Sequence, residues 1–326
     1  MSFGEGGGAT GGLLGNEFDG MRVMFVMMNM ARLSVGVQGL GLAERTLQGA
    51  LSYANERVQG KVVGTPKEDR TSPIVGHPDV RRMLLDMRSL TEAMRGICLM
   101  NAVAMDRAGS LADEDARQAA EDLNELLIPI TKAWCTDMGV EVTSLAIQVY
   151  GGMGFVEETG VSQFFRDARI APIYEGTNGI QAMDLVGRKL PMRSGGVVTD
   201  TIADIRATAA ALSADDELAG IGARLAEATD ALDEATQWIF GHAGEIRDVL
   251  AGATPYLRMW GLVVGGWVLG KSALAAAEWA ADDGPADFCA EKVRTARWFA
   301  DQHLSTVVGL TARATSGASL MDEASL

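Results

Sequence analysis

Met21–Val58 reads MRVMFVMMNMARLSVGVQGLGLAERTLQGALSYANERV. Apolar residues recur at spacings of three and four, and the stretch turns polar towards its end, which predicts one helix of roughly ten turns. A helix of that length needs long neighbours to cover its apolar stripe, so the stretch points to an all-α fold built as a bundle.

The flanking sequence supplies those neighbours. Residues 1–20 carry eight glycines, and GGLLG within them reads as a short strand ending in a turn, with no partner strand in sight. A loop over 59–79 follows the long helix, and His77-Pro78-Asp79 then has the form of a helix entry, continued by VRRMLLDMRSLTEAMRGICLMNAVAMDRA on a 3.6-residue period. Between them GSLADEDARQAAEDL reads either as a join or as a break in a helix pair. A third helix is expected from about Asp113 to Met138, kinked near Pro129, and a fourth from Val142 to Val149, ending in the glycines of YGGMGF. After PIYEGTNGIQ a last helix runs to about Arg188. Leu190–Val198, LPMRSGGVV, has the composition of a linker, and residues 199–326 form a second, alanine-rich helical block holding five of the six tryptophans. The fold class is therefore all-α: a four-helix bundle over 21–190, a linker over 191–198 and a further helical domain over 199–326.

Composition narrows the function. With 48% hydrophobic and 22% charged residues the chain is globular rather than disordered. A formal charge of -15 and the absence of a basic run argue against nucleic acid and anionic membrane as partners. The block 199–326 holds 9 basic and 19 acidic residues, a net of -10. Cys98, Cys135 and Cys289 are widely spaced, as expected of reduced thiols in a cytoplasmic protein. His77, His242 and His303 lack partners at ligand spacing, so no metal site is expected. The longest uncharged runs, Val142–Val156 and Met259–Gly270, fall short of the roughly 20 residues that span a bilayer and read as buried segments, so no membrane span is expected.

Four places in this sequence carry chemistry. Glu175 stands in PIYEGTNGIQ ahead of Gly176 and Gly179, which permit positive φ or close approach, and of Thr177, suited to cap the next helix; a solvent-exposed loop glutamate is the plain alternative to a general base. Ile173 and Tyr174 would form an apolar wall beside it. Gln148 and the glycines of QVYGGMGF sit at a helix end, where a C-cap is the ordinary reading and backbone approach to a flat or phosphorylated ligand the functional one. Arg32 is a lone cation in an apolar stretch, either snorkelling to the surface or pairing with a ligand anion or carbonyl. Arg57 is by default a favourable charge at a helix C-terminus. Met24, Met27, Met28 and Met30 read as core filler.

In this order, with YGGMGFVEETGVSQFFRDARIAPIYEGTNGIQ as the most specific part, these elements resemble the C-terminal half of an acyl-CoA dehydrogenase over about residues 21–190. The additional helical domain, together with MMNMARLSVGVQGLGLAERTLQGALSYANERVQG and HPDVRRMLL, is similar to the longer branch of that family, which includes enzymes acting on 3-methylmercaptopropionyl-CoA. The resemblance implies a flavoprotein with FAD as cofactor and an acyl-CoA thioester as substrate. It implies that Glu175 is the base that removes the α-proton and that Gly176 lies against the substrate, with Asn29 to Arg32 on its CoA part. Thr177, Asn178 and Gly179 would meet FAD, as would Gln148 and Gly152, commonly on a neighbouring subunit, and Arg57 across a dimer. It further implies a homo-oligomer and an electron-transfer flavoprotein as electron acceptor. Three features depart from the pattern: RVQGK lacks the usual phenylalanine after Arg57, a Pro/Gly-rich insertion follows, and Pro78 stands where a flavin-contacting glutamine is common. Residues 1–20 resemble only the tail of the middle β-domain that family members place before the bundle. The expectation is accordingly a dehydrogenase that acts with a missing N-terminal half, supplied as a partner chain or a longer product. A non-catalytic helical scaffold or oligomerisation subunit, or a truncated gene product, is the alternative.

Overall fold

The computed structural model describes residues 3–64 and 71–325; positions 65–70 of the insertion after Arg57 lie outside them. The described chain is all-α, with an isolated bridge between Val58 and Pro73 and no strand. GGLLG is not a strand: it has no second segment to pair with, and residues 3–15 stay exposed. Twelve α-helices are described: α1 (Gly20–Glu56), α2 (Pro78–Ser110), α3 (Glu114–Tyr150), α4 (Gly152–Phe155), α5 (Val161–Ile170), α6 (Asn178–Asp184), α7 (Gly196–Ser213), α8 (Ala219–Gly241), α9 (Ile246–Ala281), α10 (Ala286–Gln302), α11 (Val308–Ala314) and α12 (Ser319–Glu323).

The helix signals in the sequence act where the chemistry puts them. Pro78 opens α2 with Asp79 in its first turn. GSLADEDARQAAEDL is a break: α2 ends at Ser110, and the Asp113 carboxylate accepts from the Ala116 N–H at 2.8 Å to cap α3. The expected third and fourth helices are a single helix. α3 runs unbroken through Pro129 and across Gly139, because its centre is buried on every side and packing outweighs the missing hydrogen bond and the glycine penalty. Residues 190–198 are not an exposed linker either. Leu190, Val197 and Val198 are buried, and the chain turns there through positive φ at Arg193 and Ser194.

α1 and α3 lie side by side and parallel: Gly36 meets Thr131, Gly39 meets the Cys135 carbonyl, and Tyr53 stacks on Tyr150 with ring centroids 4.2 Å apart. A Cβ on Gly39 would stand 2.6 Å from the Cys135 oxygen, and one on Gly139 would stand 3.0 Å from the Gly39 oxygen, so the two backbones touch only because both residues are glycine. α2 runs antiparallel beside them, donating from Asn101 Nδ2 to Thr131 Oγ1 at 2.9 Å. The second helical block is not separate from this layer. α9 packs against α2, α3 and α6, and one cluster of buried apolar residues extends from Leu40 to Ala314.

Met259–Gly270 lies inside α9 and is buried throughout, as its composition suggested. By length and composition both α1 and α9 are apolar enough to cross a bilayer; 78% of that stretch of α9 is buried within the protein, against 28% in α1. The methionines of α1 are not core filler: Met24, Met27 and Met30 are 37%, 57% and 61% exposed. α1 is first buried at Arg32, and its opening three turns are covered only in part, through Phe25 at Arg188 and Asn29 at Glu125.

The contact between the two blocks centres on Trp134, which lies over Gly261 and meets Phe299 edge-on at 6.5 Å. A Cβ on Gly261 would lie 2.2 Å from the ring, which is 1% exposed. Gly261→Ala is expected to destabilise the protein by about 1–3 kcal/mol through overpacking. A urea midpoint equal to that of the parent chain would show that the indole shifts freely.

Candidate active site

The loop 171–177 between α5 and α6 carries the candidate base. Ala171 is fully buried and anchors it, and the Asn178 N–H donates to the Pro172 carbonyl at 3.0 Å, closing the loop on itself. Within it Glu175 has φ +56 and Gly176 φ +82. Positive φ in a residue with a side chain costs on the order of 1–3 kcal/mol and persists only where surrounding structure enforces it. Here the enforcement is visible. Gln181, fully buried, donates through Nε2 to the Gly176 carbonyl at 3.2 Å, and a Cβ on Gly176 would stand 2.9 Å from that nitrogen. Thr177 caps α6, accepting from the Ile180 N–H at 3.3 Å, as its place in the sequence implied. Gly179 differs: its Cβ position meets only Thr177 Oγ1 at 3.7 Å, so no contact within the chain requires a glycine there.

Glu175 is half-buried, and among the described residues its carboxylate takes no hydrogen bond and no ion pair. The Ile173–Tyr174 wall is not closed around it: Ile173 is 48% exposed, while the Tyr174 hydroxyl donates to Gln38 on α1. What lies beneath the loop is charged. Lys132 of α3 is 0% exposed, yet among the described residues its ammonium makes one hydrogen bond, to Asn178 Oδ1 at 2.9 Å. Asn178 Nδ2 in turn donates to the Ala133 carbonyl and Thr136 Oγ1 at 3.0 Å and to Asp137 Oδ1 at 2.7 Å. The amide dipole thus lies between an ammonium and a carboxylate, each facing the matching end, and this pins α6 to α3.

Burial pushes the Lys132 ammonium down from the ordinary 10.5 to about 8, opposed by Asp137 and Glu175 and assisted by Arg32. The folded state therefore prefers the neutral amine, and unfolding takes up a proton between about pH 8 and pH 10.5. Stability is lowest, as far as this group decides it, below that window, and rises by about 3 kcal/mol as pH rises through it. A difference between the parent chain and Lys132→Met in urea unfolding at pH 7.5 and pH 10.5 measures this. Equal pH dependence in the two chains would refute it.

Arg32 does not snorkel. It is 6% exposed and its Nη1 meets Asp184 Oδ2 at 3.2 Å, with Arg188 reaching the other oxygen at 3.6 Å. Its Nε is buried without a partner. Phe25, Arg32, Asp184 and Arg188 line a cleft of about 370 Å³ between α1 and α6. One turn before Arg32, Asn29 donates to Glu125 at 3.0 Å, and Lys189 pairs with the same carboxylate.

The structure brings Asn29, Arg32, Glu175, Gly176, Thr177, Asn178 and Gly179 to one region, where α1, α3 and α6 meet. The other three candidates lie elsewhere. Arg57 is exposed at the end of α1, about 37 Å along the helix from Arg32, and Gln148 is exposed about 24 Å along α3 from Lys132. Gly152 is exposed with nothing within 4 Å of its Cβ position. The Tyr53–Tyr150 stack places these three at the same end of the bundle.

Lys132, Asp137, Gln181 and Asp184 escaped the sequence reading. Lys132 left one signal, a single charge inside the apolar run LLIPITKAWC. Asp184 left none before its partner Arg32, 152 residues away, was placed beside it.

Comparison with known proteins follows the same division of the chain. Residues 19–190 match the acyl-CoA dehydrogenase C-terminal domain, and residues 201–323 match an acetyl-CoA dehydrogenase C-terminal-like domain. The chain is 48% identical over 299 residues to 3-methylmercaptopropionyl-CoA dehydrogenase of Ruegeria pomeroyi, covering 91% of this chain and 50% of that one. It superposes with a TM-score of 0.71 on Caenorhabditis elegans ACDH-11 in complex with C11-CoA, at 19% identity over 89% of this chain and 46% of that one. An acyl-CoA dehydrogenase complexed with FAD from Bacillus anthracis gives a TM-score of 0.70 at 18% identity, covering 95% of this chain and 53% of that one. At such identities these two structures establish the fold alone. The chain spans about half the length of the curated relatives it matches over most of its own length.

Proposed function

The chain belongs to the acyl-CoA dehydrogenase family, and from that premise we propose that it catalyses the FAD-dependent α,β-dehydrogenation of an acyl-CoA thioester, together with the N-terminal half its relatives possess. The observation that carries this reading is Glu175: a carboxylate with no hydrogen bond or ion pair among the described residues, at φ +56 in a loop whose next carbonyl accepts from a fully buried glutamine, is a group kept in place for something outside the chain.

Each residue has a part in the proposed reaction. The Glu175 carboxylate takes the proton from the substrate α-carbon. Gly176, without a Cβ, lets the thioester approach the loop, and Lys132 through Asn178 keeps the loop seated on α3. Arg32 and Asn29 border the cleft on the side proposed for the CoA part. FAD, when bound, accepts the β-hydride.

The residues present fit a flavin: Gln148 has an exposed side chain with no internal hydrogen bond among the described residues, and the Gly151–Gly152 backbone is open to approach. The Asn178 side chain is committed to α3 and its backbone N–H to the Pro172 carbonyl. Arg57, Gln148 and Gly152 stand too far from Glu175 to serve the same flavin ring within one chain. A homo-oligomer, in which one copy lends its far end to the next, fits that spacing. An electron-transfer flavoprotein is the proposed electron acceptor.

The test is to prepare the chain with an N-terminal half, encoded beside it or taken from the Ruegeria pomeroyi relative, and record a visible spectrum. Bound flavin that bleaches on addition of acyl-CoA is expected. A colourless complex, or a flavin that no acyl-CoA bleaches, would refute the reading.

A further inference from the structure

A cleft of about 730 Å³ lies where α7 and α9 meet α2 and the start of α3, and none of the candidate site residues lines it. Leu99 and Val103 of α2, 60% and 51% exposed, Val197 of α7 and Trp267 of α9 give it apolar walls. Two of its carboxylates, Asp122 and Asp200, are both taken by Arg193 at 2.7 Å. Lys271 of α9 stands at the same cleft, one turn after Trp267, with its Nζ 4.0 Å from the centre of the indole. That ring is fixed in place: it is 2% exposed, and its N–H donates to Thr208 at 2.9 Å.

Lys271 differs from three other lysines of the chain. The Lys132 ammonium is hydrogen-bonded to Asn178, Lys189 to Glu125 and Lys292 to Glu92. Among the described residues Lys271 has neither a hydrogen bond nor an ion pair, only the ring beneath it. An ammonium gripped by a carboxylate must break that contact before its nitrogen can act as a nucleophile, whereas one resting on a ring face gives up a weaker contact. Lys271 is open to solvent, yet burial lowers its ammonium below the ordinary 10.5, against the pull of Asp204 of α7. The neutral amine is accordingly more available there than on a fully solvated lysine.

We propose that Lys271 is a site of Nε-acylation by acyl thioesters, with the apolar walls of the cleft receiving the acyl chain. The amine nitrogen attacks the thioester carbonyl carbon, the C–S bond breaks as the N–C bond is completed, and the proton lost from nitrogen leaves on the thiol, so the step balances without a further reactant. The amide product is uncharged. Acylation thus removes a cation and adds an apolar arm at a contact between the two helical blocks. The acyl donor is of the substrate class proposed above, but the site needs neither flavin nor Glu175, so either reading can fail without the other.

The test is to incubate the full chain with acetyl-CoA or butyryl-CoA at about pH 8 and follow the occupancy of each lysine by mass spectrometry of digests. Acylation of Lys271 at least fivefold faster than of Lys189 and Lys292 is expected, and that preference is expected to vanish in denaturing urea. Lys271→Arg should remove the fast phase of the mass gain while circular dichroism stays that of the parent. The ratio of Lys271 to Lys292 acylation should rise from the acetyl to the butyryl donor. Equal rates at the three lysines, or a preference that survives in urea, would overturn the site, and a ratio indifferent to chain length would overturn the cleft as receiver of the acyl chain.

Discussion

Glu175→Gln, in a complex that carries flavin, is expected to lower the rate of flavin bleaching by acyl-CoA by about 10²–10⁴-fold or more, with flavin still bound. Glutamine has nearly the same shape and still tolerates the left-handed backbone at φ +56, so the loop keeps its geometry. What is lost is the ability to take up a proton. Because the carboxylate has no internal hydrogen bond among the described residues, removing its charge breaks no contact that holds α6 to α3. The effect should fall on the rate constant for bleaching at saturating substrate and not on the concentration of substrate that half-saturates it. A variant that bleaches within threefold of the parent would show that another group takes the proton. A variant that loses flavin altogether would show that Glu175 is structural.

Asp184→Asn is expected to cost about 3–5 kcal/mol of stability, because it leaves Arg32 charged, 6% exposed and without a carboxylate. Arg188 makes the loss worse by adding a second cation to the same pocket, 67% exposed at its side chain and lying with Arg32 over the Phe25 ring. The cost of a broken pair differs from the cost of having none. The double variant Arg32→Met with Asp184→Leu fills similar volume without charge and is expected to recover most of the loss. Urea denaturation of the single and double variants checks both statements. An Asp184→Asn chain within 1 kcal/mol of the parent, or a double variant no more stable than the single, would overturn the account of this pair.

Much of the site was legible because short-range chemistry carries it. Thr177 three residues before Ile180 and glycine after Glu175 are local facts, and each has the local consequence expected of it. The methionines of α1 were misread because burial is not local. Their spacing is that of a core-facing stripe, but the first buried residue of α1 is Arg32. The break expected between Met138 and Val142 was misread for the converse reason: a helix end was read locally, while α3 continues through these residues where surrounding helices bury it.

Sequence alone determined the helical class and the helix starts at Pro78, Asp113 and Thr177, because periodicity and capping act within a few residues, whereas Glu175 became the candidate base only through the family resemblance of the ordered motifs. Only the tertiary structure decided that Lys132 and Asp137 grip Asn178 from opposite ends and that Asp184 neutralises Arg32. Those groups lie tens to hundreds of residues apart. Whether a buried charge is answered depends on which helices pack together, and helix packing is set by the summed shape of many side chains rather than by any local spacing.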